Sequence, residues 1–247
     1  MAKKLNLRFY KRVGVEKNDD GFVIKLDQYV LKTPDQKPAD KRTLLLPTQK
    51  AAELVAAEWD AQGDEVDPRT MPVTRLLNVA IARTPEARDE LISEAQKYAG
   101  SDLLCYRSAE TRLYLEHQIE NWDPILDWAA KQGVVLKTTE GLEVIAQDPA
   151  ALEVVGDYAR GLDDIALTLF VHLLSTFGST VLAMAVMEGY LSPEEGFAKS
   201  RLDELWQIKY WGQDEIAQER TDAIAQEITA LCRLLDFYRT SYGPGYC

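Results

Sequence analysis

The sequence predicts an α+β protein, with a small N-terminal antiparallel-sheet domain with helices over residues 1–83 and an all-α helical domain over 84–247. Three observations predict this. Up to about residue 46, apolar and polar residues alternate with the period of a half-buried strand. After Pro47 the apolar period becomes that of a helix. From residue 84 onward the chain repeats one device: a capping residue, then a proline whose missing N–H costs nothing at the first helical position.

Asn18-Asp19-Asp20-Gly21 reads as a turn, with Gly21 free to take positive φ. Phe22, Ile24 and Leu26 then alternate with Val23, Lys25 and Asp27. Residues 29–33 and 42–46 read as two more strands around a polar loop, completing a small meander. Thr48 is an N-cap for a helix whose Ala51, Val55 and Trp59 share one face, and Gly63 suits the C′ position. The next helix begins near Pro72, with Val73, Leu76, Leu77, Ala80 and Ile81 in one apolar stripe.

Helix starts are expected at Thr84-Pro85, Asp123-Pro124, Asp148-Pro149 and Ser192-Pro193. Glu195, three residues after Ser192, completes a capping box. Gly100, Gly133, Gly161 and Gly189 stand where helices should stop. Residues 134–137 and 142–145 read as a hairpin or a return to the N-terminal sheet. Residues 165–186 form the most apolar run, interrupted by His172, Ser175, Thr176, Gly178, Ser179 and Thr180. That is a buried core helix broken near Gly178, not a membrane span. A final helix over about 214–239 presents Ile216, Ile224, Ile228, Leu231 and Leu235 on one face.

Composition excludes several classes. A net charge of −12 argues against binding nucleic acid or an anionic membrane. Cys105, Cys232 and Cys247 make no disulfide framework, which fits a reducing compartment. With no secretory leader and no Arg- and Ser-rich presequence, the expected location is a bacterial cytoplasm, or a mitochondrial matrix after presequence removal. No phosphate loop, dinucleotide fingerprint, nucleophile elbow or zinc motif is present, so no cofactor and no metal are expected. His117 with Glu120 lacks a third ligand and reads as a surface histidine, His172 as a core histidine, and Cys105 as a buried inert thiol. The acid pairs Asp19-Asp20 and Asp163-Asp164 read as turn and cap residues.

What remains is a candidate recognition surface in residues 202–215. Trp206, Tyr210 and Trp211 fall within six positions, edged by Asp203, Glu204, Asp214 and Glu215. Aromatics edged by charge suit a protein interface, and equally a wide buried helix face. If Leu202, Leu205 and Ile208 form the core stripe, the two tryptophans cannot both point inward. Glu204 is then the acid exposed beside the rings.

The segment Trp206-Gln207-x-x-x-Trp211-Gly212-x-Asp214-Glu215 resembles the assembly chaperones of the ATP synthase catalytic head that bind its α subunit. Four further stretches fit in the same order: Arg8-Phe9-Tyr10-Lys11, Glu58-Trp59-Asp60-Ala61-Gln62, Met71-Pro72-Val73-Thr74-Arg75-Leu76 and Asp102-Leu103-Leu104-Cys105-Tyr106-Arg107. Ile216 stands where the pattern leads to another acid, which shortens the acidic edge. The resemblance implies a chaperone that is not an enzyme, works as a monomer, and takes the free α subunit as its partner. It implies partner-binding roles for Glu204, Trp206, Gln207, Tyr210, Trp211, Asp214 and Glu215, and structural roles for Trp59, Met71 and Pro72. The residues alone leave open a motif-poor enzyme using a carboxylate pair, or a stable structural subunit of a complex.

Overall fold

The computed structural model describes residues 6–34, 40–141, 143–211 and 215–242, with side chains for all of these but 6, 209–211, 215–218 and 238–242. Contacts divide the chain into two compact units, Met1–Ala87 with Ala230–Tyr246, and Arg88–Thr229.

In the first unit, β1 (Asn6–Leu7) pairs antiparallel with β6 (Glu65–Val66). The other sheet is built around β3 (Gly21–Leu26), which pairs antiparallel with β2 (Val13–Asn18), β4 (Tyr29–Val30) and β5 (Leu45–Leu46). Asn18 Oδ1 closes the β2–β3 turn by accepting from the amides of Asp20 (3.0 Å) and Gly21 (2.8 Å). Gly21 has φ +152°, and a Cβ there would stand 2.6 Å from the Leu46 carbonyl oxygen, so β5 can approach only a glycine. Val23 and Ile24 point to opposite faces yet both are buried, so β3 is covered on both sides.

Helix α1 (Gln49–Asp60) starts as the sequence predicts, with Thr48 Oγ1 accepting from Ala51 N at 3.1 Å, and it buries Ala51, Ala52 and Val55. It ends at Ala61, two residues before the expected Gly63 stop. Helix α2 (Pro72–Ala82) has no capping side chain at Met71. Glu58 of α1 replaces it, accepting from Val73 N (2.7 Å), Thr74 N (2.8 Å) and the Thr74 hydroxyl (2.7 Å). Burial pushes the Glu58 carboxyl above its ordinary pKa, and these donors and Arg75 oppose the shift. The carbonyl end of α1 is clamped too. Tyr10 donates to Trp59 O at 2.6 Å, and the Arg8 guanidinium donates to Asp60 O at 3.2 Å and to Gln62 O. A cation there suits the negative end of the helix dipole.

The second unit is helical. It holds the part of α3 (Thr84–Gly100) beyond Ala87, then α4 (Arg112–Lys131), α5 (Pro149–Gly161), α6 (Asp164–Phe177), α7 (Thr180–Met187), α8 (Pro193–Ser200), α9 (Leu202–Trp211) and α10 (Glu215–Tyr242) as far as Thr229. β7 (Tyr106–Arg107) and β8 (Thr139–Glu140) form a short parallel pair. The apolar run 165–186 does break at Gly178, which takes φ +66° between α6 and α7. All 8 residues of α7 are buried, which makes it the centre of this unit's core. Among the described residues no helix is long and apolar enough to cross a membrane.

Two of the expected helix starts hold. Asp148 caps α5, and Ser192 with Glu195 forms the capping box of α8. At the third, α3 begins at Thr84 itself, and the Thr84 hydroxyl lies 3.5 Å from Val79 O. At the fourth, Asp123-Pro124 is no start, because α4 runs through it from a cap at Thr111. Asp123 is occupied by Arg107 at 2.6 Å. Its neighbours Trp122, Ile125 and Ala129 are buried, which offsets an interior proline costing about 3 kcal/mol. Residues 134–137 form neither expected strand, since Gln147 holds them as an irregular segment by bonding both the N and the O of Lys137 (2.8 and 2.9 Å).

Asp102 is fully buried at the start of α7. One oxygen accepts from Leu104 N (3.0 Å) and the other from Val181 N (3.0 Å). Burial pushes its carboxyl from 3.8 up to about 6 against these donors. The same burial, with Asp102 beside it, pushes the Cys105 thiol up to about 12, so this cysteine is inert as expected. A carboxyl whose folded pKa lies above its unfolded value contributes stability at low pH that is lost as pH rises through about 6. Asp102→Asn removes that loss. Measured by urea unfolding, the variant gains steadily on the wild type as pH rises from about 4 to 6, and the gain levels off above that. A pH-independent difference between the two proteins would refute the assignment.

Candidate functional site

The aromatic segment lies on α9, and α4 positions it. On α4 the buried side carries Tyr114, Gln118, Trp122, Ile125 and Ala129, spaced three to four residues apart. Arg107 enters beneath them with its side chain 4% exposed. It pairs with Asp123 at 2.6 Å, donates to Gln118 O at 3.3 Å, and lies 5.0 Å from the centre of the Trp122 ring. Burial lowers the Arg107 pKa and Asp123 opposes the shift, the signature of a buried but compensated charge. Trp122 Nε1 donates to Lys199 O at 3.0 Å, and Lys199 Nζ donates to Asn121 Oδ1 at 2.7 Å, which ties the end of α8 to α4.

Asp203 joins α9 to this scaffold. One of its oxygens accepts from the Tyr114 hydroxyl and from Gln118 Nε2 at 3.0 Å, while Gln118 Oε1 accepts from Ser108 N at 2.7 Å. Burial, with the bond to Asp203, raises the Tyr114 pKa, so the hydroxyl stays a donor. Trp206, one turn on, stacks against Tyr114 with centroids 4.8 Å apart and planes at 21°, and it lies 5.2 Å from the His117 ring. Its indole is half-buried, with one face held.

The outward side of α9 differs from the expected stripe. Leu202 is buried, but Leu205 is 51% exposed and Ile208 is half-buried. The inward arc is taken by Leu202, Asp203 and Trp206, and a helix of 3.6 residues per turn cannot bury Leu205 on that arc as well. Glu204 is exposed as expected, its carboxylate 2.9 Å from Arg201, and Gln207 is exposed beside it. Tyr210 and Trp211 belong to α9 and Glu215 opens α10, but their side chains, and all of Asp214, lie outside the described residues.

The motif residues of the first unit are set apart from this cluster in the chain. Trp59 packs edge-on against Tyr10 at 5.6 Å, Met71 is buried, and Pro72 is the first residue of α2. His117 reads from sequence as a surface histidine, yet it is half-buried against Trp206. His172 is not a core residue. Its side chain is 35% exposed, and Nε2 lies 3.8 Å from Glu227. Tyr114, Gln118 and Asp203 carry no sequence motif, although Asp203 was visible as one of the edging acids. Among the described residues no group of three His, Cys, Asp or Glu is placed to hold a metal.

Over residues 7–130 the chain matches the family of the ATP12 chaperone protein, and it belongs to that family, whose members serve ATP synthase assembly. It is 28% identical over 225 residues to protein atp12, mitochondrial, of Schizosaccharomyces pombe, covering 86% of this chain and 76% of that one. Its fold is that of Atp12 from Paracoccus denitrificans, with TM-score 0.85 and 33% identity over 95% of this chain and 99% of that one. The Atu1473 protein of Agrobacterium tumefaciens is similar at TM-score 0.87 and 34% identity, covering 95% of this chain and 87% of that one. The α+β class and the family resemblance read from the sequence both stand.

The α4–α9 joint makes a measurable prediction. Tyr114→Phe keeps the stack and removes one donor to Asp203, and should lower stability by about 1 kcal/mol. Trp206→Ala removes a half-buried ring and should cost about 2 kcal/mol, below the range for a fully buried tryptophan. The substitutions touch one contact, so the double variant should lose less than the sum by ~0.5 kcal/mol or more. Strict additivity in urea unfolding would show that the rings do not support one another.

Proposed function

We propose that this chain holds the unassembled α subunit of the F-type ATP synthase head through α9 and its continuation, using Glu204, Trp206, Gln207, Tyr210, Trp211, Asp214 and Glu215. It acts as a monomer and without catalysis, wherever the synthase head is assembled: the bacterial cytoplasm, or the mitochondrial matrix. Trp59, Met71 and Pro72 serve the fold.

One observation carries the reading. A helix locked by Asp203 and Trp206 on its inner side presents Glu204, Leu205 and Gln207 outward. An unassembled ring subunit exposes apolar surface that its neighbour would cover, and such surface aggregates. Occupying it lowers the concentration of free sticky subunit. Because the true neighbour must displace the chaperone, a polar-rimmed, incomplete contact serves better than a tight apolar one.

Light scattering of isolated α subunit tests this. The wild type should suppress aggregation, and should do so less well for unrelated clients. Glu204→Lys should weaken suppression while changing stability by less than about 1 kcal/mol, the loss of the Arg201 pair included. At an interface the same reversal can cost several kcal/mol, on the order of the whole difference between holding and losing a client. Equal suppression by Glu204→Lys would place the contact elsewhere. No suppression by the wild type would remove the α-subunit assignment.

A further inference from the structure

We infer that the outer ridge of α4 beside Trp206 is a second half of the recognition surface, shaped for a basic amphipathic segment of a protein partner. The inference rests on reading α9 as client-facing. It adds a helix that no sequence motif marks, and it specifies the chemistry of what is held.

The ridge follows from helical spacing. Tyr114, Gln118 and Trp122 fix the inner side of α4, so Leu113, Glu116 and Glu120 occupy the opposite side one turn apart. All three are exposed, Leu113 by 62%. His117 lies one turn from Leu113 and beside Trp206, so the apolar leucine continues into a platform of partly open rings. Leu113, exposed one turn from the partly exposed pair of His117 and Trp206, is what an apolar anchor from a partner would cover.

The charge at the rim sets what accompanies that anchor. Glu116 is shared with Arg112 at 2.8 Å, whereas Glu120 has no cation partner among the described residues. Glu110 is a further exposed acid at the start of the ridge, near enough to raise the Tyr114 pKa. The chain carries −12 overall, so an acidic segment would be repelled at long range as well as at contact. A segment with Lys or Arg one turn from Leu or a similar residue satisfies both the platform and Glu120, and is steered toward them.

Two synthetic helices test this: an amphipathic leucine–lysine peptide and its leucine–glutamate counterpart, titrated calorimetrically. The leucine–lysine peptide should bind the wild type and weaken at about 0.5 M salt, where the Debye length falls to a few Å. Glu120→Lys and Leu113→Ser should each weaken it by at least about fivefold. Glu90→Lys makes the same charge change on an exposed site of α3 and should stay within about twofold. Equal loss in Glu90→Lys and Glu120→Lys, or equal binding of the two peptides, would overturn the inference. The α-subunit assay separates the two readings. If the wild type protects and Glu120→Lys protects equally, the ridge is refuted alone. If the wild type fails to protect while the peptide results hold, the α-subunit assignment falls and the chemistry of the ridge stands.

Discussion

Glu58 and Asp102 each hold a carboxylate against the free amides at the start of a helix distant in sequence, Val73 and Val181 respectively. Both acids are driven above their ordinary pKa by burial, which shows how unfavourable those positions are for a charge. What keeps them there is the alternative. A buried helix start with unmet N–H groups loses roughly 1–3 kcal/mol per group. Glu58 holds the start of α2, and Asp102 joins the turn at Leu104 to the start of the wholly buried α7. Each unit therefore has such a long-range joint at a helix start, α2 in one and α7 in the other.

The same device, at lower burial, sets α9. Asp203 accepts from Tyr114 and Gln118 on α4, and Gln118 is itself oriented by Ser108 N. Arg107 beneath it is compensated by Asp123. A chain of satisfied polar groups thus runs from the buried guanidinium to the surface, and each link restricts the next. Three of the stretches that carry the family resemblance turn out to be parts of such joints. Arg8 and Tyr10 hold the end of α1, Glu58 caps α2, and the Asp102–Arg107 stretch supplies both the α7 cap and the guanidinium under α4.

How legible each feature was follows from this. The strands, the α2 stripe, the Asp148 and Ser192 caps and the Gly178 break are local: the residues that cause them lie within a few positions of one another. Asp123-Pro124 misled because it copies a local signature while its acid answers to Arg107, 16 residues away. The Glu58 cap has no signature, since its partner is 15 residues on. On α9 the aromatic cluster was visible, but its orientation depends on Tyr114, 89 residues from Asp203. Apolar spacing alone made Leu205 part of the core. The stacking of Trp206 and the anchoring of Asp203 rotate the helix so that Leu205 faces outward.

Trp206 is half-buried against α4, and this packing is what the proposed interface role would use. The ring stacks on Tyr114 and lies beside His117, which restricts its rotamer. Ordering an aromatic side chain at contact would otherwise cost about 0.5–1.5 kcal/mol. If α9 holds a client as proposed, the exposed part of the ring meets it without that cost, so a small contact gains specificity without great area. A contact of this kind is firm in orientation and limited in extent, which is what reversible holding of a subunit on its way into a ring demands.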